Sequence, residues 1–136
     1  MSRAHRDLLL ICAAQDRTFT FEGGRTGHWV GKCIHCRRKL GLEADGEPHG
    51  GTTLEHIVPR THGGTNERDN LAIACSRCNG QKGRHIDVLH RSHPRLHEMI
   101  LRLRDQRELR LRPLSDHGCP RLRVILEHGV DSPTGS

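Results

Sequence analysis

Cys33-Ile34-His35-Cys36 and Cys75-Ser76-Arg77-Cys78 decide how this chain folds, because each places two thiols three positions apart. At that spacing one tight turn presents both sulfurs to a single tetrahedral ion, so the two pairs together predict a structural Zn2+ held by Cys33, Cys36, Cys75 and Cys78. Composition shows why a staple is needed. Only 33% of the 136 residues are apolar and 2% aromatic, which is little core for a chain the size of one domain. Structural zinc turns roughly 10 to 16 kcal/mol of apparent binding free energy into folding free energy. Two other readings of the cysteines stand beside this one. Disulfides would need an oxidising compartment, and a redox dithiol normally sits as a lone CxxC in a βαβ setting that this sequence lacks. Cys12 and Cys119 have no partner at ligand spacing and read as a buried apolar thiol and an ordinary loop thiol.

Between the knuckles, residues 52–58 are rich in β-branched side chains and stop at Pro59, which predicts a strand. Residues 60–69 read as a loop with Gly63-Gly64, and 70–74 as a second short strand. Ser76 is placed to cap a helix that starts at the second knuckle. The polar, glycine-rich residues 41–53 read as an exposed loop. N-terminal to the knuckles, Leu8, Ile11 and Cys12 recur at helical spacing within 4–15, and 18–22 have strand propensity before Trp29 and Val30. C-terminal to them, Ser92-His93-Pro94 opens a helix reaching Arg112, with Leu96, Met99, Ile100 and Leu103 as its apolar face. Glu98 with Arg102 and Glu108 with Arg112 are i,i+4 pairs on its surface. The expected organisation is an N-terminal helix and arm (1–24), a zinc-stapled core (25–90), and a helical extension ending in a disordered tail (91–136).

Lys and Arg total 22 against 16 Asp and Glu, a formal charge of +6 with 12 histidines still to titrate. The surplus favours an anionic partner, nucleic acid first. Arginine outnumbers lysine, as phosphate clamping would prefer, although a biased genome composition gives the same excess. The longest apolar run, 8–14, is far shorter than the roughly 20 residues of a membrane span. Arg3 and Arg6 before it and Ala13-Ala14 after it imitate a secretion signal, but Asp7 and the reduced-thiol pattern oppose that reading. The expectation is a cytoplasmic protein with no membrane partner. The stretch from Gly27 to Cys33 falls short of a phosphate-binding loop, His97-Glu98 lacks the second histidine of a zincin, and neither CxxC follows a proline as in the zinc deaminases.

In order between the first knuckle and residue 83 stand Leu54-Glu55-His56-Ile57-Val58-Pro59-Arg60, Gly63-Gly64, Asp69-Asn70-Leu71 and Cys75-Ser76-Arg77-Cys78-Asn79. This series resembles the HNH endonuclease family of the ββα-metal, or His-Me finger, superfamily, in the subgroup stapled by four cysteines. The resemblance covers about residues 32–83. It maps the first H onto His56 and the N onto Asn70, and it finds Asn79 where the final H stands, a replacement the family uses. It implies an α+β fold: a small ββα-metal core stapled by a four-cysteine zinc site and flanked by N- and C-terminal helices. It also implies that Asn70 ties the loop and orients the histidine, and that the products are a 5′-phosphate and a 3′-hydroxyl.

The chemistry is consistent with that assignment. Phosphodiester hydrolysis needs a water deprotonated near neutral pH, which suits His56 as general base. It also needs a cation near the phosphoryl oxygens, for which Glu55 and Asn79 are the expected ligands of one Mg2+ or Mn2+. Neighbours on a regular strand point to opposite faces, so Glu55 and His56 converge only if the strand twists or ends there. Arg60, Arg77, Lys82 and Arg84 are the expected phosphate contacts. The expected activity is nicking of DNA, double-stranded as substrate, by a monomer or weak homodimer. The alternatives are a zinc-stapled nucleic-acid binder without cleavage and a thiol redox protein.

Overall fold

Two antiparallel sheets joined through the first knuckle frame the molecule, in a computed structural model that describes residues 1–129. The expected disordered tail lies outside the described residues. Strands β1 (Thr20–Glu22), β2 (His28–Lys32) and β3 (Lys39–Glu43) form the first sheet in that order, with Trp29 opposite Leu42 and Lys32 opposite Lys39. The first CxxC is the turn between β2 and β3. Its backbone closes through Cys33 N–H to Arg38 O at 2.8 Å, with Arg37 in the left-handed region at φ 66°.

Strands β4 (Thr52–His56) and β5 (Leu71–Cys75) form the second sheet, with Thr52 opposite Cys75 and His56 opposite Leu71. Helix α2 (Ser76–His85) leaves β5 directly, which completes the ββα unit expected of the α+β core. Every residue of β5 is buried, because α1 (Arg3–Ala14) and α2 both pack on it. That burial explains its unbroken Leu-Ala-Ile-Ala-Cys run, which lacks the alternation of a half-exposed strand. Leu9, Leu10, Phe19, Trp29, Leu42, Ile57 and Ile73 are the largest apolar side chains of the core beneath.

Helices α3 (Pro94–Arg110) and α4 (Pro120–His128) follow the core. Leu96 and Leu103 of α3 are buried, and Met99 and Ile100 are partly so. Helix α4, which the sequence pattern did not reveal, packs on α1 through Leu122 and Ile125, and Arg121 donates to buried Asp7 at 2.7 and 3.0 Å.

Several expectations need correction. Residues 41–43 belong to β3 rather than to an exposed loop, because Leu40 and Leu42 pack inward beside the knuckle. Strand β4 ends at His56. The cap of α2 is Cys75, whose Sγ accepts from Cys78 N–H at 3.4 Å, and the cap of α3 is His93, so Ser76 and Ser92 do not serve. Cys119 is buried, with its thiol on Ala44 O. Burial also pushes the Cys12 thiol up to about 12.

Part of the arginine excess is spent on backbone carbonyls of the fold. Arg110 is buried and donates to Lys32 O (2.9 Å) and Cys33 O (3.1 Å), which ties the C-terminal end of α3 to the first knuckle. Arg112 donates to Ala13 O and Ala14 O in the last turn of α1 and to Phe19 O beyond it. Arg112 therefore makes these contacts in place of the expected pair with Glu108.

Candidate active site

The metal centre follows from the two turns. The sulfurs of Cys33, Cys36, Cys75 and Cys78 all lie within 4.8 Å of one another, and Cys36 Sγ and Cys75 Sγ are 3.8 Å apart. A Zn–S bond of about 2.3 Å places tetrahedral sulfurs about 3.8 Å apart, whereas a disulfide needs about 2.05 Å. All six cysteines are free thiols. Backbone N–H groups of His35 and Cys75 point at Cys33 Sγ (3.4 and 3.2 Å), as they would at a thiolate. The backbone N–H of Arg38 lowers the Cys36 thiol to about 7, while burial raises Cys33 and Cys78. Cys36 thus ionises more readily than Cys33 or Cys78, and a divalent cation supplies the charge that draws protons from the raised thiols. The site fits zinc. Among the described residues it is the one His/Cys/Asp/Glu cluster with metal-binding geometry.

On the other side of α2 lies an open cleft of about 610 Å3 lined by His56, Arg60, His62, Asn79, Asp87 and Val88, together with neighbouring backbone. His56 enters it from the last residue of β4, and Asn79 from the first turn of α2. Both amide hydrogens of Asn79 are engaged, by Thr53 Oγ1 (3.0 Å) and Leu54 O (3.1 Å). Those two acceptors fix the amide orientation and leave Oδ1 as its remaining donor atom toward a cation.

His56 Nε2 lies 2.7 Å from Asn66 Oδ1, and His62 Nε2 lies 2.9 Å from Asp87 O. Burial, and next the charge of nearby His56, hold His5 on α1 below the usual histidine range.

Asn70, at the foot of β5, is buried and makes three bonds. Its Oδ1 accepts from Val58 N–H at 2.8 Å, and its Nδ2 donates to Val58 O (3.1 Å) and Thr65 O (2.9 Å). It clasps both limbs of the loop that follows His56. Gly64 lies where the limbs cross, since a Cβ there would overlap Val58 O.

Residues 33–85 match the family model described as HNH endonuclease. The chain carries an HNH endonuclease domain. Neither a curated protein nor a solved structure matches the chain. The HNH segment contains both knuckles, the Asn70 clasp and the cleft lining apart from Asp87 and Val88, while α1, α3 and α4 lie outside it.

Two expectations about the HNH segment are corrected. Glu55 does not line the cleft that Asn79 and His56 share. Glu55 is fully buried on the face of β4 opposite His56, with Oε1 3.0 Å from Lys82 Nζ and Oε2 3.6 Å from His35 Nε2. Strand alternation prevails, and the carboxylate faces inward. Lys82 is not a phosphate contact. Its ammonium is buried, pairs with the Glu55 carboxylate as an ion pair, and donates to Asp87 Oδ1 (2.8 Å) and to His56 O (3.0 Å). Arg60, Arg77 and Arg84 are exposed and, among the described residues, carry no ion pair, with Arg60 on the cleft wall. His35, which the sequence offers as a possible substitute zinc ligand or a bystander, lies instead beside Glu55. Asn66 and Asp87 went unrecognised in the sequence, because no spacing marks them.

Proposed function

We propose that the chain is an endonuclease that hydrolyses DNA phosphodiester bonds, with His56 as general base. One observation carries the reading: an imidazole, a fixed amide oxygen and an unpaired arginine line one open cleft inside the HNH segment. An HNH domain implies a nucleic-acid substrate, and the formal charge of +6 agrees with it.

In the proposed reaction His56 takes a proton from water as its oxygen attacks phosphorus. The P–O3′ bond breaks, and the leaving 3′ oxygen takes up a proton from solvent, giving a 5′-phosphate and a 3′-hydroxyl. Arg60 faces the charge that grows on the phosphoryl oxygens, and Arg77 and Arg84 hold neighbouring phosphates. Asn70 acts through the loop and not on the substrate. The Mg2+ or Mn2+ expected of the family would find Asn79 Oδ1 in the cleft, whereas the Glu55 carboxylate is held away by Lys82. Zinc holds the two knuckles together and takes no part in cleavage. One cleft cuts one strand, so a monomer nicks.

The test is a supercoiled plasmid incubated with zinc-loaded protein and added Mg2+ or Mn2+. Conversion to open circle with 5′-phosphate and 3′-hydroxyl ends is expected, and an intact plasmid under both cations contradicts the proposal. The sequestered Glu55 favours a second reading, a zinc-stapled nucleic-acid binder that does not cleave, for which retarded but intact DNA is the expected result.

A further inference from the structure

We infer that Asn66 is the positioning residue of the general base, holding His56 in the tautomer whose proton sits on Nε2 so that Nδ1 keeps its lone pair. The inference rests on the reading of His56 as base. An amide oxygen has no hydrogen to give, so at 2.7 Å from Asn66 Oδ1 it is His56 Nε2 that donates. In a neutral imidazole that leaves Nδ1 as the acceptor, and among the described residues Nδ1 has no partner. The proton of an attacking water goes to Nδ1, and the imidazolium so formed keeps its Nε2 bond to Asn66.

The loop is built to deliver this contact. Asn66 follows Thr65, whose carbonyl accepts from Asn70 Nδ2, and Val58, two residues after His56, bonds to the same Asn70 side chain through both its N–H and its O. Gly64 N–H donates to Pro59 O at 2.9 Å, closing the crossing where no Cβ fits. Asn70 thus places Asn66, and Asn66 places the ring. An orienting partner of this kind is worth about 10- to 100-fold in activity by analogy with groups that orient ligand histidines.

Long-range 15N–1H correlation spectra of histidine-labelled, zinc-loaded protein read the tautomer directly, with His56→Ala used to assign the His56 signals. Above the pH at which the ring titrates, wild type is expected to show the Nε2–H form. Asn66→Ala is expected to show a tautomer mixture and a kcat lower by about 10- to 100-fold, with KM, zinc content and Tm unchanged. Asn66→Asp, which keeps an acceptor oxygen, should restore the Nε2–H form. A wild-type ring protonated at Nδ1, or an Asn66→Ala ring still fixed as Nε2–H, overturns the inference. Because the spectra need no turnover, a protein with the expected tautomer and no cleavage would instead count against His56 as base.

Discussion

Lys82→Met should unfold this protein far more readily than removal of a surface lysine would. The ammonium is buried in ion pairs with Glu55 at 3.0 Å and Asp87 at 2.8 Å, and it also donates to the His56 carbonyl. Its loss leaves a fully buried carboxylate facing only the His35 ring, 3.6 Å away. Removing one member of a buried pair costs about 3 to 5 kcal/mol, because the other remains uncompensated. With an unfolding entropy of about 2.1 cal/mol/K per residue, a loss of this size lowers Tm by about 10 to 17 °C in a chain of this length. The assay is thermal and urea unfolding at fixed free zinc, since metal linkage shifts apparent stability by mass action. Lys82→Met combined with Glu55→Gln removes both charges and should recover at least about 2 kcal/mol of the loss, by relieving the uncompensated carboxylate. A Lys82→Met cost below about 1 kcal/mol, of the size found for exposed pairs, would refute the buried network.

Other perturbations address the remaining parts of the fold. Cys78→Ser should release zinc and unfold the chain, as measured by elemental analysis and circular dichroism, and a folded variant would remove zinc as the staple. Protons compete with the metal for the thiolates, so zinc affinity should fall as pH falls. Absorbance of the cobalt-substituted protein across a pH series reads that loss, and metal affinity independent of pH would contradict thiolate ligation. Gly64→Ala must displace the Val58 carbonyl and should cut nicking by about 100-fold through misplacement of His56, with zinc content unchanged. Arg110→Met strips charged donors from Lys32 O and Cys33 O and should cost about 1.5 to 3 kcal/mol in urea unfolding.

The sequence carried the zinc knuckles, β4, β5 and α2 openly, because ligand spacing, β-branched residues before Pro59 and a helix leaving a CxxC are local signals. Strand β3 stayed hidden because Lys39-Leu40-Gly41-Leu42-Glu43 is short, carries a glycine and runs into a glycine-rich stretch. The alternation rule had already put Glu55 and His56 on opposite faces, and the fold resolves that tension by burying the carboxylate. What no local pattern could supply was its partner. Lys82 looks like a helix-surface lysine until the packing of α2 on β4 turns it inward. The contact between His56 and Asn66 has the same character, since it exists only once Asn70 has folded the loop back. The arginine excess also reads two ways in sequence: Arg60, Arg77 and Arg84 are exposed, while Arg110 and Arg112 are structural donors that charge counting cannot separate from them.

The most direct test of the central claim compares wild type with His56→Ala, matched for zinc content and thermal stability, in nicking of supercoiled plasmid with Mg2+ or Mn2+ present. The account predicts that the variant retains its zinc and its fold and loses cleavage. Nicking by His56→Ala at the wild-type rate would contradict it.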